Sequence, residues 1–257
     1  EAAGRGGSRH FCDALALPVG STLQLAGPKN MFRLDETAQR YVLMAAGIGI
    51  LCAPQFAVLS FGTVFLHDHA HLGLGVAAAV MSAVQLASMA LRICSGRWTD
   101  RRQNRPAFLR ACCQLTLALF AGMAALSWSS HPGASAVSPA MGLVLMVMLG
   151  VCGICVSAWH GVAYTQLAGL AGAARAGTAL GMANTSVFAV CFLVPLASPH
   201  LLSAQGWGLV WACAAACAGW AMHLFARAGV AGNPGATQGA LLNENTGCLP
   251  TASSHRP

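Results

Sequence analysis

Charge is scarce in this chain and concentrated in one place. The run SGRWTDRRQNRP at 95–106 holds Arg97, Arg101, Arg102 and Arg105 around one carboxylate, Asp100. Arginines beside an aspartate can form an ion pair, anchor on lipid phosphate, or leave the carboxylate free to meet the amide groups of a helix start. The other polar side chains with chemical potential lie in apolar sequence: Gln55, Gln85, Arg92 and Gln114 singly, and Asn184 and Thr185 in a polar patch with Ser186. In such a setting an amide or hydroxyl either bonds a neighbouring helix or faces a central cavity that receives a solute. Arg92 has two physical fates. Its long stem can snorkel to an interface, or its guanidinium can face a cavity and attract an anionic solute or a partner's acid.

Other clusters carry less. HDHAH places His67, His69 and His71 around Asp68, and these ligand types suit zinc, but a loop leaving a helix imposes no tetrahedral geometry and no metal is assigned. CGIC at 152–155 has redox spacing, yet it lies inside LGVCGICVSAW, where a thiol packs as a small hydrophobe. His160 in AWHG is a titratable group, but a Trp-His pair closing an apolar run reads as an interfacial anchor. A Walker A sequence is absent, which excludes an ATP-driven domain of that type. Intramembrane catalysis needs a nucleophile with a base inside the bundle, and the histidines fall at loops and edges, with His223 the nearest exception. An enzyme is therefore not expected, and no cofactor is called for.

The elements that must position these residues are membrane spans. Of 257 residues, 56% are hydrophobic and 8% charged, where a soluble domain carries about 25% charged residues. Charge-free runs cover 111–174 and 176–226, each long enough for two spans of about 20 residues, and 41–67 and 69–91 supply one each. The reading is an all-α membrane protein with six transmembrane helices at 41–65, 73–93, 107–126, 141–159, 177–196 and 207–225. Residues 1–30 form an irregular N-terminal segment, 31–227 the bundle, and 228–257 a disordered cytoplasmic tail.

The net charge of +7 punctuates apolar runs instead of interleaving with aromatic residues, so it reads as topology and not as a nucleic-acid surface. Lys29, Arg33 and Arg40 precede the first span; Arg97, Arg101, Arg102 and Arg105 follow the second; Arg175 follows the fourth and Arg227 the sixth. The intervening loops hold no Lys or Arg. The expectation is a multi-pass protein of the cell membrane with both termini in the cytoplasm. Gly75, Ala79, Ala83 and Ala87 recur every fourth residue along the second span, Gly177 and Gly181 open the fifth, and Ala212 and Ala216 mark the sixth, all suited to close helix packing.

Positive-inside bias accounts for arginines but not for Asp100 or the spacing. GRWTDRRQNR reads as Gly, three residues, Asp, Arg and a basic residue four places on, directly after the second span. It resembles the loop signature of the major facilitator superfamily, which joins the second and third helices of a six-helix half. Gly96, Asp100, Arg101 and Arg105 match; Gln103 stands where the signature has Gly, and Pro106 where it has a basic residue. RICSGRWTDRR upstream, with Arg92 one turn before Gly96, resembles members of that family, and APQFAVLSFGTVFLHD resembles the close of their seventh helix.

The resemblance implies half of a major-facilitator-type bundle, the C-terminal half, with its opening truncated. It implies a secondary transporter of a small polar or anionic solute by alternating access, with a companion N-terminal six-helix half as partner in the bilayer. It also implies a conformational latch of Gly96, Asp100, Arg101 and Arg105. Gly96 would let the second span press on a neighbour, Asp100 would meet the start of the fifth span near Gly177, and Arg101 would pair with Asp100 or reach lipid phosphate. The rival expectation is a non-transporting six-helix fragment or a membrane assembly partner.

Overall fold

A computed structural model describes residues 36–130 and 138–229. The irregular N-terminal segment, most of the C-terminal tail, and Lys29 and Arg33 lie outside the described residues.

Nearly every described residue is helical, and no strand occurs among them. Helix α1 spans Glu36–Val64 and ends in a π-helical turn, Phe65–His69, in which the Ala70 amide donates to the Phe65 carbonyl at 3.1 Å. Helix α2 spans Leu74–Arg102, α3 Arg105–Ser129, α4 Pro139–Cys155, α5 His160–Ala171 and α6 Ala176–Arg227. Five helical stretches are long and apolar enough to cross a membrane, with α4 and α5 forming one of them. The last, α6, is broken at Gln205 and Gly206, where Gly206 takes φ 71°. That break divides it into arms 176–204 and 207–227, about 43 and 31 Å long at the helical rise. Where the sequence reading expects six spans, the described residues form five apolar helical stretches, the last of them broken at Gln205 and Gly206.

Several boundaries differ from the sequence reading, the fifth span running on from Leu196 to Ala204 and three others as follows. The first span continues past Phe65 to His69, so Asp68 belongs to a helical turn and not to a loop. The second continues past Ile93 to Arg102, with Ser95 and Thr99 buried and Ser95 Oγ donating to the Ala158 carbonyl across the contact with the fourth span. The fourth does not end at Trp159. It breaks at 156–159 and resumes as α5, which buries Trp159 completely instead of leaving it at an interface.

Two apolar clusters hold the bundle. One gathers Met44, Ile48, Leu51, Leu109, Trp159, Leu167 and Phe225. The other surrounds Trp211, which meets Phe65 edge-on at 5.3 Å and stacks on Trp207 at 6.0 Å. The ends sort by composition. His69 bonds Ser130, and the Ala70 carbonyl lies over Gly142, so the histidine-bearing turn shares an end with the close of α3 and the start of α4. Gly229 lies against Arg40.

Burial is uneven. In α1, 61% of the most apolar window is buried inside the chain, against 17% in α2 and 6% in α6. The small-residue stripe of α2 does not pack as expected within the described residues: Gly75, Ala79 and Ala83 are exposed, and α2 packs through Ala77, Met81, Val84, Ser88, Ser95 and Thr99. Gly177 and Gly181 also face open space, while Gly49 makes the close approach that the sequence reading gave to others.

Candidate functional site

The helix break at 156–159 is the centre of the polar network. Ser157 and Ala158 turn their amides to carbonyls three residues back, at 3.2 Å each, and the ordinary helical ladder is interrupted. In a bilayer the carbonyls released by such a break need protein donors. Helix α2 supplies them. Ser88 Oγ donates to Gly153 O at 3.4 Å, Arg92 Nε to Ser157 O at 3.1 Å, and Ser95 Oγ to Ala158 O at 2.7 Å. Ser157 Oγ adds a bond to Gly153 O at 3.0 Å. Gly153 permits the approach, since a Cβ there would lie 2.7 Å from Val84 and 3.2 Å from Val58.

Arg92 therefore has a role that neither sequence alternative described: one guanidinium edge caps the broken helix. Only Nε is engaged, so the terminal nitrogens form an oriented fork with no protein partner among the described residues. His160 begins α5 beside it, stacked on Trp159 at 4.0 Å, with Nε2 3.6 Å from Cys52 Sγ and the ring buried beside the Ser157 backbone. Arg92 lies within electrostatic reach of both His160 and Cys52. One turn on, Tyr164 donates its hydroxyl to Asn184 Oδ1 at 2.9 Å across the α5–α6 contact. Cys52 and Cys191 neighbour Tyr164.

The remaining candidates are dispersed. Gln55 is buried just after Pro54, its Oε1 without a partner. Gln85 and Gln114 are exposed. Thr185 is exposed and bonds back to Gly181 O at 3.0 Å. Among the described residues no group of three His, Cys, Asp or Glu side chains is disposed to hold a metal, and the described cysteines are free thiols. Cys52, Tyr164, Ser88, Ser95 and Ser157 were not singled out from sequence. Tyr164 carried a readable signal, since it stands four residues after His160 on the same helix face.

The arginine-rich turn differs from its expected wiring. Asp100 Oδ1 accepts from Arg105 Nη2 at 2.8 Å and Nε at 3.3 Å, so Arg105, not Arg101, is its partner. Helix α2 is still helical at Arg102, which points Arg101 to the next spoke, while the reversal at Gln103 and Asn104 brings Arg105 back over the carboxylate. Asp100 makes no hydrogen bond to the start of α6 near Gly177. Gly96 faces open space, and Arg102 lies over the Trp98 ring at 5.3 Å. Gln103 takes φ 51°, the left-handed conformation glycine adopts most easily, at the position where the signature carries glycine.

Comparison with known proteins agrees with this architecture. No solved structure matches the chain. Over 48 residues the chain is 50% identical to the heme-dependent oxidative N-demethylase beta subunit of Ectopseudomonas mendocina (strain ymp), a stretch covering 19% of this chain and 15% of that protein. The sequence profile of the Major Facilitator Superfamily matches residues 17–195, from ahead of α1 into the first arm of α6 and across the α2–α3 turn. Helical spans, the Gly96–Arg105 turn and the extent of that match together establish that the chain belongs to the Major Facilitator Superfamily, a family of membrane transporters.

Proposed function

We propose that this chain is a six-helix half of a secondary transporter that moves a small polar or anionic solute by alternating access against a companion six-helix half. The observation that carries the reading is the fork of Arg92. Arg92 stands exposed on α2, where its guanidinium meets one backbone carbonyl and no described carboxylate, so it is open to an anion. Its Nε is fixed to Ser157 O, so the remaining nitrogens are pre-aimed for bidentate recognition of a carboxylate or phosphate. His160, Tyr164 and Asn184 supply further hydrogen-bonding groups, and Gln55 a buried amide.

The exposed faces of α2 and of the first arm of α6 support a companion half. Gly75, Ala79 and Ala83 would let a partner helix approach closely there. The Asp100–Arg105 pair closes the turn between α2 and α3 and serves as a latch at the arginine-bearing end, which the positive-inside bias puts in the cytoplasm.

In a functional full-length carrier, Arg92→Gln raises the KM for an anionic solute at least tenfold, and Arg92→Lys recovers part of the loss by retaining charge. Unchanged affinity in Arg92→Gln would sink the anion reading. The same exposed faces favour a second reading, a half-bundle that assembles without transporting, which predicts no uptake from any solute panel in proteoliposomes holding the chain alone.

A further inference from the structure

An apolar groove of about 300 Å³ runs between the two arms of α6. The first arm contributes residues from Val190 to Leu201 and the second from Val210 to Trp220, a length of about 15–17 Å at the helical rise. Leu201 and Val210 form its mouth, each about one turn from the break at Gln205 and Gly206. Trp207 meets Phe65 edge-on at 5.2 Å, so the mouth lies at the histidine-bearing end. Helix α1 runs antiparallel to the second arm, with Phe65 at Trp207 and Gly47 at Phe225, and Ile50, Ala53 and Ala57 therefore close the inner part of the groove.

The chemistry and the size of the groove select its occupant. Among the described residues no charged side chain lines it, and the one hydroxyl, Ser198 Oγ, donates to Val194 O at 2.7 Å. None of the lining residues holds a buried polar atom in want of a partner. A polar solute would lose its hydration here with no hydrogen bond in return. A transmembrane helix is too wide to enter: the volume spread over the length leaves a cross-section of about 20 Å², against about 80–110 Å² for a helix 10–12 Å across. One extended hydrocarbon chain fits. The length also matches about 15 Å, the share of one leaflet in a hydrocarbon core about 30 Å thick.

We infer that the groove holds one acyl chain of a bilayer phospholipid from the leaflet at the histidine-bearing end, its ester end at Leu201 and Val210 and its methyl end toward Trp220 and Ile50. The two arms of α6 then pack on each other partly through lipid. The stripe that faces the groove, Val190, Val194, Ala197 and Leu201, lies across the helix from Phe188 and Phe192, the outward face offered to a companion half. The acyl chain and the companion half therefore occupy different faces, and the lipid site does not depend on the transport reading.

The test is photolabelling of the full chain in phosphatidylcholine nanodiscs. The probes are phosphatidylcholines with a diazirine near the carboxyl, at the middle or near the methyl end of one acyl chain, and adducts are located by peptide mass spectrometry. The label should move inward with the diazirine, from Leu201 and Val210 to Trp220 and Ile50. Ala197→Phe places a ring in the groove from an exposed position, and Cys213→Leu fills it from the other arm. Each should cut groove adducts at least fivefold while leaving those at exposed Leu86 and Met89 on α2 unchanged, which also reports an intact fold. Where one variant alters the α2 adducts, the other decides. Adducts without depth order, or groove labelling within twofold of wild type in a folded variant, would overturn the assignment. So would labelling by a diazirine-bearing dodecane with none from the phospholipid probes, which gives the groove to a free apolar solute. A chain-to-chain adduct through Cys213 under a thiol crosslinker would give it to a second copy instead.

Discussion

At the scale of single residues, the turn after α2 shows how the superfamily signature works in a chain that departs from it. Gln103 occupies a left-handed position and bonds the Asp100 carbonyl through Nε2 at 2.7 Å. A left-handed conformation costs a residue with a Cβ about 1–2 kcal/mol, more than one exposed hydrogen bond returns. Gln103→Gly is therefore expected to stabilise the folded chain by about 0.5–1 kcal/mol, seen as a higher midpoint of thermal unfolding in detergent. Asp100→Asn should barely move that midpoint, since exposed ion pairs contribute about 0–1 kcal/mol. Its effect belongs to transport rate if the pair is a latch. The residue types of the turn were legible in the sequence because the signature is short and local. The pairing was not, because it depends on how far α2 remains helical before the reversal at Gln103 and Asn104.

At the scale of elements, the apolar runs located the helices, but the breaks within them were hidden. A glycine or serine in LGVCGICVSAW looks the same whether the helix runs through or turns, and only the donors on α2, far away in sequence, make the turn at 156–159 affordable. Ser95→Ala leaves the Ala158 carbonyl without its 2.7 Å partner and should cost about 1–3 kcal/mol, with faster hydrogen exchange confined to 156–161. Helix contacts make a sharper contrast. A Cβ at Gly49 would lie 2.6 Å from Ser186 Cβ and 2.9 Å from its backbone, which cannot yield without moving the first arm of α6. A Cβ at Gly62 would crowd the flexible end of Met81, at 2.8 and 2.9 Å, and meet Leu149 Cδ2 at an ordinary 3.5 Å. Gly49→Ala should destabilise by about 1–3 kcal/mol and Gly62→Ala by less than about 1 kcal/mol, both read from unfolding midpoints.

At the scale of the whole molecule, the unequal burial of the spans is the dominant fact. Helix α1 is wrapped by its neighbours, whereas α2 and the first arm of α6 show Leu86, Met89, Phe188 and Phe192 outward. A C-terminal epitope tag at the native locus gives a direct test of the companion half. A membrane product near twice 26.3 kDa on a denaturing gel is the expected result, and a band at 26.3 kDa would leave two separate chains or the non-transporting reading.

The bond between Arg92 and the Ser157 carbonyl spans 65 residues of sequence, so the ribosome makes the guanidinium well before its acceptor. At about 5–20 residues per second, α2 waits roughly 3–13 s with a charge and no partner. During that interval the arginine must stay near lipid headgroups or the walls of the insertion machinery, and α2 seats fully only once the fourth span arrives. The carbonyl that holds the Arg92 side chain is thus made only after translation has crossed 93–157, and the bond can form no earlier.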